Sequence, residues 1–170
     1  RPRAADGDGR VDVLTCDTEP RRPALNNTLI ALALAGMSLA AAAQSTPAGL
    51  WKTIDDDGKT EKSLVRITET AGTFSAKVEK VFDATKQDAR CELCSDDRKD
   101  QPVLGMTIVK GVRANLDDKA LWDGGEILDP NNGKTYKVRM KPVDGGKRIE
   151  VRGYIGAPLL GRTQTWIRVE

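Results

Sequence analysis

The chain has 170 residues, of which 39% are hydrophobic and 31% are charged, and its formal net charge is +2. A length in this range is typical of one domain, and a charge this balanced gives no support for nucleic acid or an anionic membrane as partner. Because the chain has no histidine, Ser–His and Cys–His nucleophile systems are excluded. The sequence identifies no catalytic residue, metal site or cofactor, and we expect a protein that is not an enzyme. An enzyme with an unfamiliar site is kept as a third alternative to the two functions weighed below.

Residues 28–43 form an apolar stretch without charge. Arg21 and Arg22 precede it, and Ala41 and Ala43 give an A-x-A pattern at its end. A basic start, a short apolar stretch and small residues at the exit are typical of a secretory signal peptide. The alternative is a membrane anchor, but a spanning helix needs about 20 apolar residues and this stretch is shorter. We therefore predict an exported protein, periplasmic or secreted, that does not span the membrane after cleavage following Ala43.

Residues 1–20 show no hydrophobic period. We expect them to be a disordered leader or the result of a gene start placed too far upstream. Residues 1–43 are thus interpreted as a non-structural leader plus signal peptide, which includes Cys16, and residues 44–170 as one folded domain. The removed segment carries as many basic as acidic groups, so the net charge stays at +2.

Apolar and polar residues alternate with a period of two along most of the folded domain, which predicts β-strands with one buried face. Turn sequences such as Asp144-Gly145 separate the runs, because Asp-Gly and Asn-Gly supply the positive φ angles of tight hairpins. No segment shows a long helical period. About eight short strands are predicted, at residues 50–54, 63–70, 73–82, 107–112, 121–128, 134–141, 148–155 and 163–169.

Many short strands joined by successive hairpins indicate an all-β fold. We expect a single antiparallel up-and-down barrel with short helical turns, and a two-sheet sandwich is the alternative. An outer-membrane barrel is not expected, because the polar strand faces carry Lys, Arg and Glu, which cannot face lipid.

The alternation also predicts which side chains share the apolar face of each strand. In the last strand, Ile167 and Val169 are expected on that face and Arg168 on the other. The remaining apolar sets are Phe74, Ala76, Val78 and Phe82, then Tyr136, Val138 and Met140, then Ile149, Val151 and Ile155.

Gly49-Leu50-Trp51 opens the first predicted strand. A G-x-W at the start of an antiparallel barrel resembles the short signature of the lipocalins. That resemblance implies that Trp51 closes one end of the barrel and that an Arg of the last strand, here Arg168, stacks on it. The alternative is that Trp51 is an ordinary core aromatic residue.

A wider pattern runs through the domain. Its parts are GLWKTIDD from Gly49, CELC from Cys91, GGEILDP from Gly124, and RGYIG followed by GRTQTW from Arg152 to Trp166. In this order they resemble the bacterial family called domain of unknown function 2147, over essentially all of residues 49–169. The resemblance implies a small exported protein with a lipocalin-like barrel, and it names no activity.

Cys91 and Cys94 form a C-x-x-C motif in a polar loop. In an oxidising compartment the pair is expected to form a local disulfide, and a loop this short gives a small gain in stability. A redox site and a metal site are the alternatives. The acidic neighbours Glu92 and Asp96 oppose the lowered thiol pKa of a redox site, and a zinc site needs further ligands that the domain lacks.

Residues 153–162 contain several glycines and a proline, which permit sharp bends and close backbone approach. This segment is interpreted either as a cap that leads the chain into the last strand, or as the rim of a pocket in which Arg152 and Arg162 receive an anionic group.

An eight-stranded barrel is wide enough to be filled by side chains or to hold one small ligand. Our leading hypothesis is a non-enzymatic binding protein that holds a small, partly apolar or amphiphilic ligand. The alternative is an envelope interaction or structural module with a packed barrel and no ligand. The candidate lining residues are Trp51, Phe74, Val78, Phe82, Tyr136, Met140 and Ile155.

Overall fold

The computed structural model describes residues 45–170. The leader and signal peptide predicted for residues 1–43 lie outside the described residues. The eight strands are β1 (Gly49–Ile54), β2 (Glu61–Thr70), β3 (Thr73–Val81), β4 (Thr107–Ala114), β5 (Trp122–Asp129), β6 (Lys134–Val143), β7 (Arg148–Tyr154) and β8 (Arg162–Arg168). Single-turn 3-10 helices occur at Ala84–Lys86, Asp144–Gly146 and Pro158–Leu160. Every predicted strand is present, with ends within two residues of the prediction.

Each strand pairs antiparallel with the next, and β8 pairs with β1 to close the barrel. The up-and-down barrel predicted from the successive hairpins is confirmed, and the sandwich alternative is wrong. Closure removes most free strand edges, which is how small antiparallel sheets avoid edge-to-edge association. The closing seam is short, since only Trp51 with Arg168 and Lys52 with Ile167 are paired across it.

The barrel has two different ends. The plugged end holds residues 45–48 and the β2–β3, β4–β5 and β6–β7 connections, and the mouth is the opposite end. The mouth is surrounded by residues 55–60 between β1 and β2, 82–106 between β3 and β4, 130–133 between β5 and β6, and 155–161 between β7 and β8.

Inward side chains fill the barrel from the plugged end to its middle. Each of them is at most 4% exposed, so the apolar faces of the strands form one packed core. This core includes Trp51, Val65, Ile67, Phe74, Val78, Val112, Val138, Met140, Ile149, Val151 and Trp166.

The inward face of β8 differs from the prediction. Trp166 is 1% exposed and pairs with the buried Ile149, whereas Ile167 and Val169 are 43% and 51% exposed. Strand pairing with β7 sets the register, and it turns the tryptophan rather than the aliphatic residues inward. The assignment of Ile167 and Val169 to the buried face is therefore wrong.

The end of β7 gives a second correction. Ile155 was expected on the inward face, but the strand ends at Tyr154 and the Ile155 side chain is 66% exposed. Gly156, with φ of 72°, turns the chain out of the sheet immediately afterwards. Tyr154 is buried instead, with the Arg139 guanidinium 5.9 Å from its ring centroid.

The long β3–β4 connection packs against the wall of the barrel. The predicted Cys91–Cys94 disulfide is present, and both residues are buried. The connection also carries Arg98, which is 6% exposed. Arg98 pairs with Asp96 and donates to the Thr107 carbonyl at 3.3 Å and to the Thr135 hydroxyl at 3.3 Å. Arg98 therefore fastens this connection to β4 and β6.

The pairing of Asp96 with Arg98 predicts a pH-dependent contribution to stability. Hydrogen bonds from the Arg98 side chain and backbone lower the pKa of Asp96 from 3.8 to about 2. Because the folded pKa is the lower one, the contribution is complete above pH 3.8 and is lost as the pH falls towards 2. Urea unfolding at stepped pH should therefore show the difference in unfolding free energy between wild type and Asp96→Asn shrinking across this window.

Asp97→Asn is the matched control, since Asp97 is mostly exposed and lies 4.0 Å from Lys110. A difference between wild type and Asp96→Asn that stays constant from neutral pH down to pH 2 would contradict the assignment of this ion pair.

Candidate functional site

The plugged end is built around one cation and one aromatic ring. Trp51 is fully buried, and its Nε1 donates to the Pro47 carbonyl at 2.8 Å. The Arg168 guanidinium lies 4.1 Å from the ring centroid of Trp51. Arg168 also donates to the carbonyls of Thr46, Ala48 and Gly146.

No carboxylate pairs with Arg168 among residues 45–170. Burial lowers the pKa of Arg168 from its usual value, and the carbonyl oxygens and the ring replace the water that its charge loses. This arrangement closes the end of the barrel at which β1 begins and β8 ends. A molecule that enters the barrel therefore does so at the mouth.

One half of the mouth is polar. Thr53 and Ser63 face inward from β1 and β2, and their hydroxyl oxygens lie 2.8 Å apart. Gln164 and Arg162 face inward from β8, since side chains alternate along the strand and Trp166 is turned inward. Three neighbouring strands thus present hydroxyl, amide and guanidinium groups to the same opening.

The other half of the mouth is apolar. Val81, Ile127 and Tyr136 project inward at the mouth end of β3, β5 and β6 and are only partly buried. Gly153 on β7 faces the same space, because a Cβ built there lies 3.5 Å from Tyr136 Cβ and 3.6 Å from Ile127 Cγ2. Gly153 therefore contributes no side chain to this half of the mouth, and Tyr136 and Ile127 border the position that one would take.

Exposed aliphatic side chains stand beside this opening. Ile155, Leu159 and Leu160 lie in the β7–β8 connection and are 66%, 87% and 81% exposed. They extend the apolar surface of the mouth outward into solvent.

The predicted lining residues divide into three groups. Trp51, Phe74, Val78 and Met140 are core residues at most 4% exposed, and they offer no surface to a ligand. Tyr136 and Arg162 lie at the mouth as described above.

The remaining predicted residues lie elsewhere. Phe82 follows the end of β3 and is partly buried, with Lys80 Nζ 5.4 Å from its ring centroid. Ile155 is exposed on the connection after β7. Arg152 faces outward and donates to the carbonyls of Pro158 and Leu159 and to the Thr163 hydroxyl. The expected pairing of Arg152 with Arg162 around one anionic group is therefore not formed.

The sequence analysis missed the polar half of the mouth. Thr53 lies two residues after Trp51, and Gln164 lies two residues before Trp166. Residues separated by two along a strand share a face, so Trp51 already marked Thr53 as inward. The same signal from Trp166 for Gln164 was hidden, because Ile167 and Val169 were assigned to the buried face of β8. A set of lining residues selected by hydrophobicity alone does not include Thr53 and Gln164.

Two clefts lie in residues 45–170, and neither is lined by the inward residues of the mouth. One has a volume of 390 Å³ and is lined by Asp97, Arg98, Gln101, Pro102, Leu104, Gly105, Met106, Thr107 and Lys110. The other has a volume of 210 Å³ and is lined by Ser45, Lys119, Ala120, Trp122 and Pro142. Neither is bordered by a predicted lining residue.

Within the described residues, no three His, Cys, Asp or Glu side chains come together as metal ligands. None of the helices in this part of the chain has the length and hydrophobicity required to cross a bilayer.

The contacts of Arg168 at the plugged end predict that replacing its guanidinium by another cation lowers the free energy of unfolding. Arg168→Lys keeps the charge but loses the planar fork that reaches three carbonyls and stacks on Trp51, so we expect destabilisation of about 1–3 kcal/mol in urea unfolding. A double-mutant cycle with Trp51→Phe should give a coupling energy of about 1 kcal/mol. Arg148→Lys, a half-exposed arginine paired with Asp144, is the control and should change stability little. Equal effects of the two Arg→Lys changes would contradict the plug.

Comparison with known proteins agrees with this architecture. No curated protein matches the chain. A solved structure described as "Protein HP1028 from the human pathogen Helicobacter pylori belongs to the lipocalin family" is similar, with a TM-score of 0.61 and 23% identity over 72% of this chain and 82% of that chain. At this identity the similarity shows the fold alone. The family model described as "Uncharacterized protein conserved in bacteria (DUF2147)" matches residues 49–168, from the first residue of β1 to the last residue of β8. The chain belongs to this bacterial family, with a lipocalin-like barrel of eight strands.

Proposed function

We propose that this protein is an exported, non-enzymatic binding protein that holds a small, partly apolar ligand in the mouth of its barrel. The observation that supports the proposal is the gradient of burial along the interior. The inward side chains of Val78, Val138 and Val151 are at most 3% exposed in the middle of the barrel, whereas Ile127, Tyr136 and Gln164 at the mouth remain partly open to solvent. Inward side chains that stay partly solvated offer surface to a ligand.

The proposed site is shallow. Val78, Val138 and Val151 are the buried inward residues next below Val81, Tyr136 and Gly153, so the ligand rests above them and extends towards the exposed aliphatic side chains Leu159 and Leu160. Binding sites with an apolar wall and a few convergent polar groups are typical of small-molecule recognition. The mouth offers both, in two facing halves.

Filling the mouth tests this proposal. Gly153→Val places two methyl groups in the opening, where the first added carbon meets only ordinary contacts, so folding is retained. We expect binding of the neutral fluorescent probe N-phenyl-1-naphthylamine to weaken by about tenfold, which corresponds to about 1.4 kcal/mol. Probe fluorescence measures binding, and urea unfolding measures the stability of each variant.

Glu150→Val is the control, because Glu150 is exposed on the outward face of the same strand. If the control and Gly153→Val bind the probe equally, the site does not lie in the mouth. If the wild-type protein does not bind the probe at all, the ligand-binding function itself is contradicted.

The second candidate function is an envelope interaction module with a packed barrel and no ligand. It is supported by the nearly complete burial of Phe74, Val78 and Met140 and by the exposure of Leu159 and Leu160. An exposed aliphatic pair on a short connection is a typical feature of protein contact surfaces. Wild-type protein that fails to bind the probe would favour this function.

Export is the second part of the proposal, and it rests on residues 28–43, which lie outside the described residues. Protein purified from the periplasm of its host is expected to begin at Gln44, because Ala41 and Ala43 form the cleavage pattern. N-terminal sequencing measures this. Recovery in the cytoplasm with residues 1–43 attached would contradict it.

A further inference from the structure

We infer that the ligand of the mouth is an amphiphile with an anionic head group, which binds Arg162 by displacing the carboxylate of Asp56. This inference rests on the proposed binding function and deepens it by naming the ligand class.

Three charged side chains share the inward face at the mouth. Among the strand residues that face inward in residues 45–170, the charged ones are Glu69, Asp129, Lys134, Arg162 and Arg168. Glu69 and Arg168 lie at the plugged end, and Arg168 is already satisfied there by carbonyl oxygens and Trp51. At the mouth, Asp129 accepts hydrogen bonds from the Asn131 and Asn132 amides of the β5–β6 turn, and Lys134 lies beyond Tyr136 on the apolar half. Arg162 is therefore the cation that faces the polar half of the mouth.

The neighbours of Arg162 complete a polar site. Gln164 lies two residues further along the same face of β8, and Thr53 and Ser63 face inward from β1 and β2. The Thr53 and Ser63 hydroxyls bond each other and Gln164 Oε1 accepts from Trp166, so one hydroxyl and the Gln164 NH₂ group can donate hydrogen bonds to oxygen atoms of a head group. A guanidinium binds a carboxylate or phosphate through two parallel hydrogen bonds. The facing wall of Val81, Ile127 and Tyr136 suits an alkyl or aromatic tail.

The Arg162 guanidinium is already paired with the carboxylate of Asp56. This pair lies across the mouth, and both side chains are 56% exposed. An exposed ion pair contributes little to stability, because water solvates both partners when they separate. A ligand carboxylate can therefore replace Asp56 at a small cost.

The loop that carries Asp56 keeps its shape without that carboxylate. The Asp57 side chain accepts hydrogen bonds from the backbone N–H groups of Lys59 and Thr60, and Asp55 pairs with Lys62. The Asp56 side chain has no such contact within the loop and reaches only Arg162. Asp56 thus acts as an internal substitute for the anionic group of the ligand.

Arg152 differs from Arg162, because the hydrogen-bond donors of Arg152 are already used within the protein. Its guanidinium faces outward and already donates to two carbonyls and one hydroxyl of the β7–β8 connection. The two arginines that bracket this connection therefore have different roles, and the anionic group is assigned to Arg162 alone.

Competition with N-phenyl-1-naphthylamine tests the inference with three ligands that share one tail: dodecanoic acid, dodecan-1-ol and dodecylamine. In the wild-type protein the acid should displace the probe at a concentration about tenfold lower than the alcohol, and the amine should be the weakest. Arg162→Gln should remove the preference, so that the acid and the alcohol displace the probe from this variant at similar concentrations.

The decisive variant is Asp56→Asn. It removes the competing carboxylate, so the affinity for dodecanoic acid should rise severalfold while the affinity for the alcohol stays the same. Asp57→Asn removes the same charge from the same loop but leaves Arg162 paired, and it should raise acid affinity much less. A purely structural ion pair would instead make Asp56→Asn and Arg162→Gln weaken all three ligands together, and that result overturns the inference.

The two proposals fail in different ways. Equal displacement of the probe by the acid, the alcohol and the amine overturns the anionic head group and leaves the binding function standing. A wild-type protein that does not bind the probe overturns both.

Discussion

Closure of the barrel through Arg168 is the constraint on which the rest of the structure depends. The seam between β1 and β8 contains two paired positions, and Leu50 adds backbone hydrogen bonds with Val169 and Glu170, so the seam is shorter than the other strand pairs. Arg168 compensates by stacking on Trp51 of the first strand and donating to carbonyls of the entry segment and of the β6–β7 turn. A single cation thus joins both ends of the domain. Because it fills the barrel end as it does so, the same contact decides which end can admit a ligand.

The interior is divided along its length, and this division has a functional consequence. The core from Trp51 to Met140 buries most of the large apolar side chains and supplies stability. The mouth contributes less to stability, since several of its inward side chains are only partly buried. An eight-stranded barrel is just wide enough to be filled by side chains or to hold one small ligand, so the filled core confines the proposed site to the mouth.

The β3–β4 connection is stabilised by contacts of its own. The disulfide closes a short loop, and Arg98 carries the longer-range attachment to β4 and β6. Arg98 is buried and is matched by Asp96, whereas Arg168 is partly buried and is matched by carbonyl oxygens and a ring. The two cations show two ways in which a small domain satisfies a guanidinium withdrawn from water.

The sequence by itself determined the strands, their order and the barrel, because a period of two and hairpin turns are local properties that need no knowledge of distant contacts. It also determined the disulfide, since the two cysteines are neighbours in the chain. Only the tertiary structure decided which side of β8 faces inward, where β7 leaves the sheet, and which candidate residues are core and which are reachable. Trp166 faces inward because of its register with β7, and Arg162 meets Asp56 from a loop more than a hundred residues away in the chain. Such contacts depend on how the closed barrel brings strands together, and the hydrophobicity pattern of one strand does not determine them.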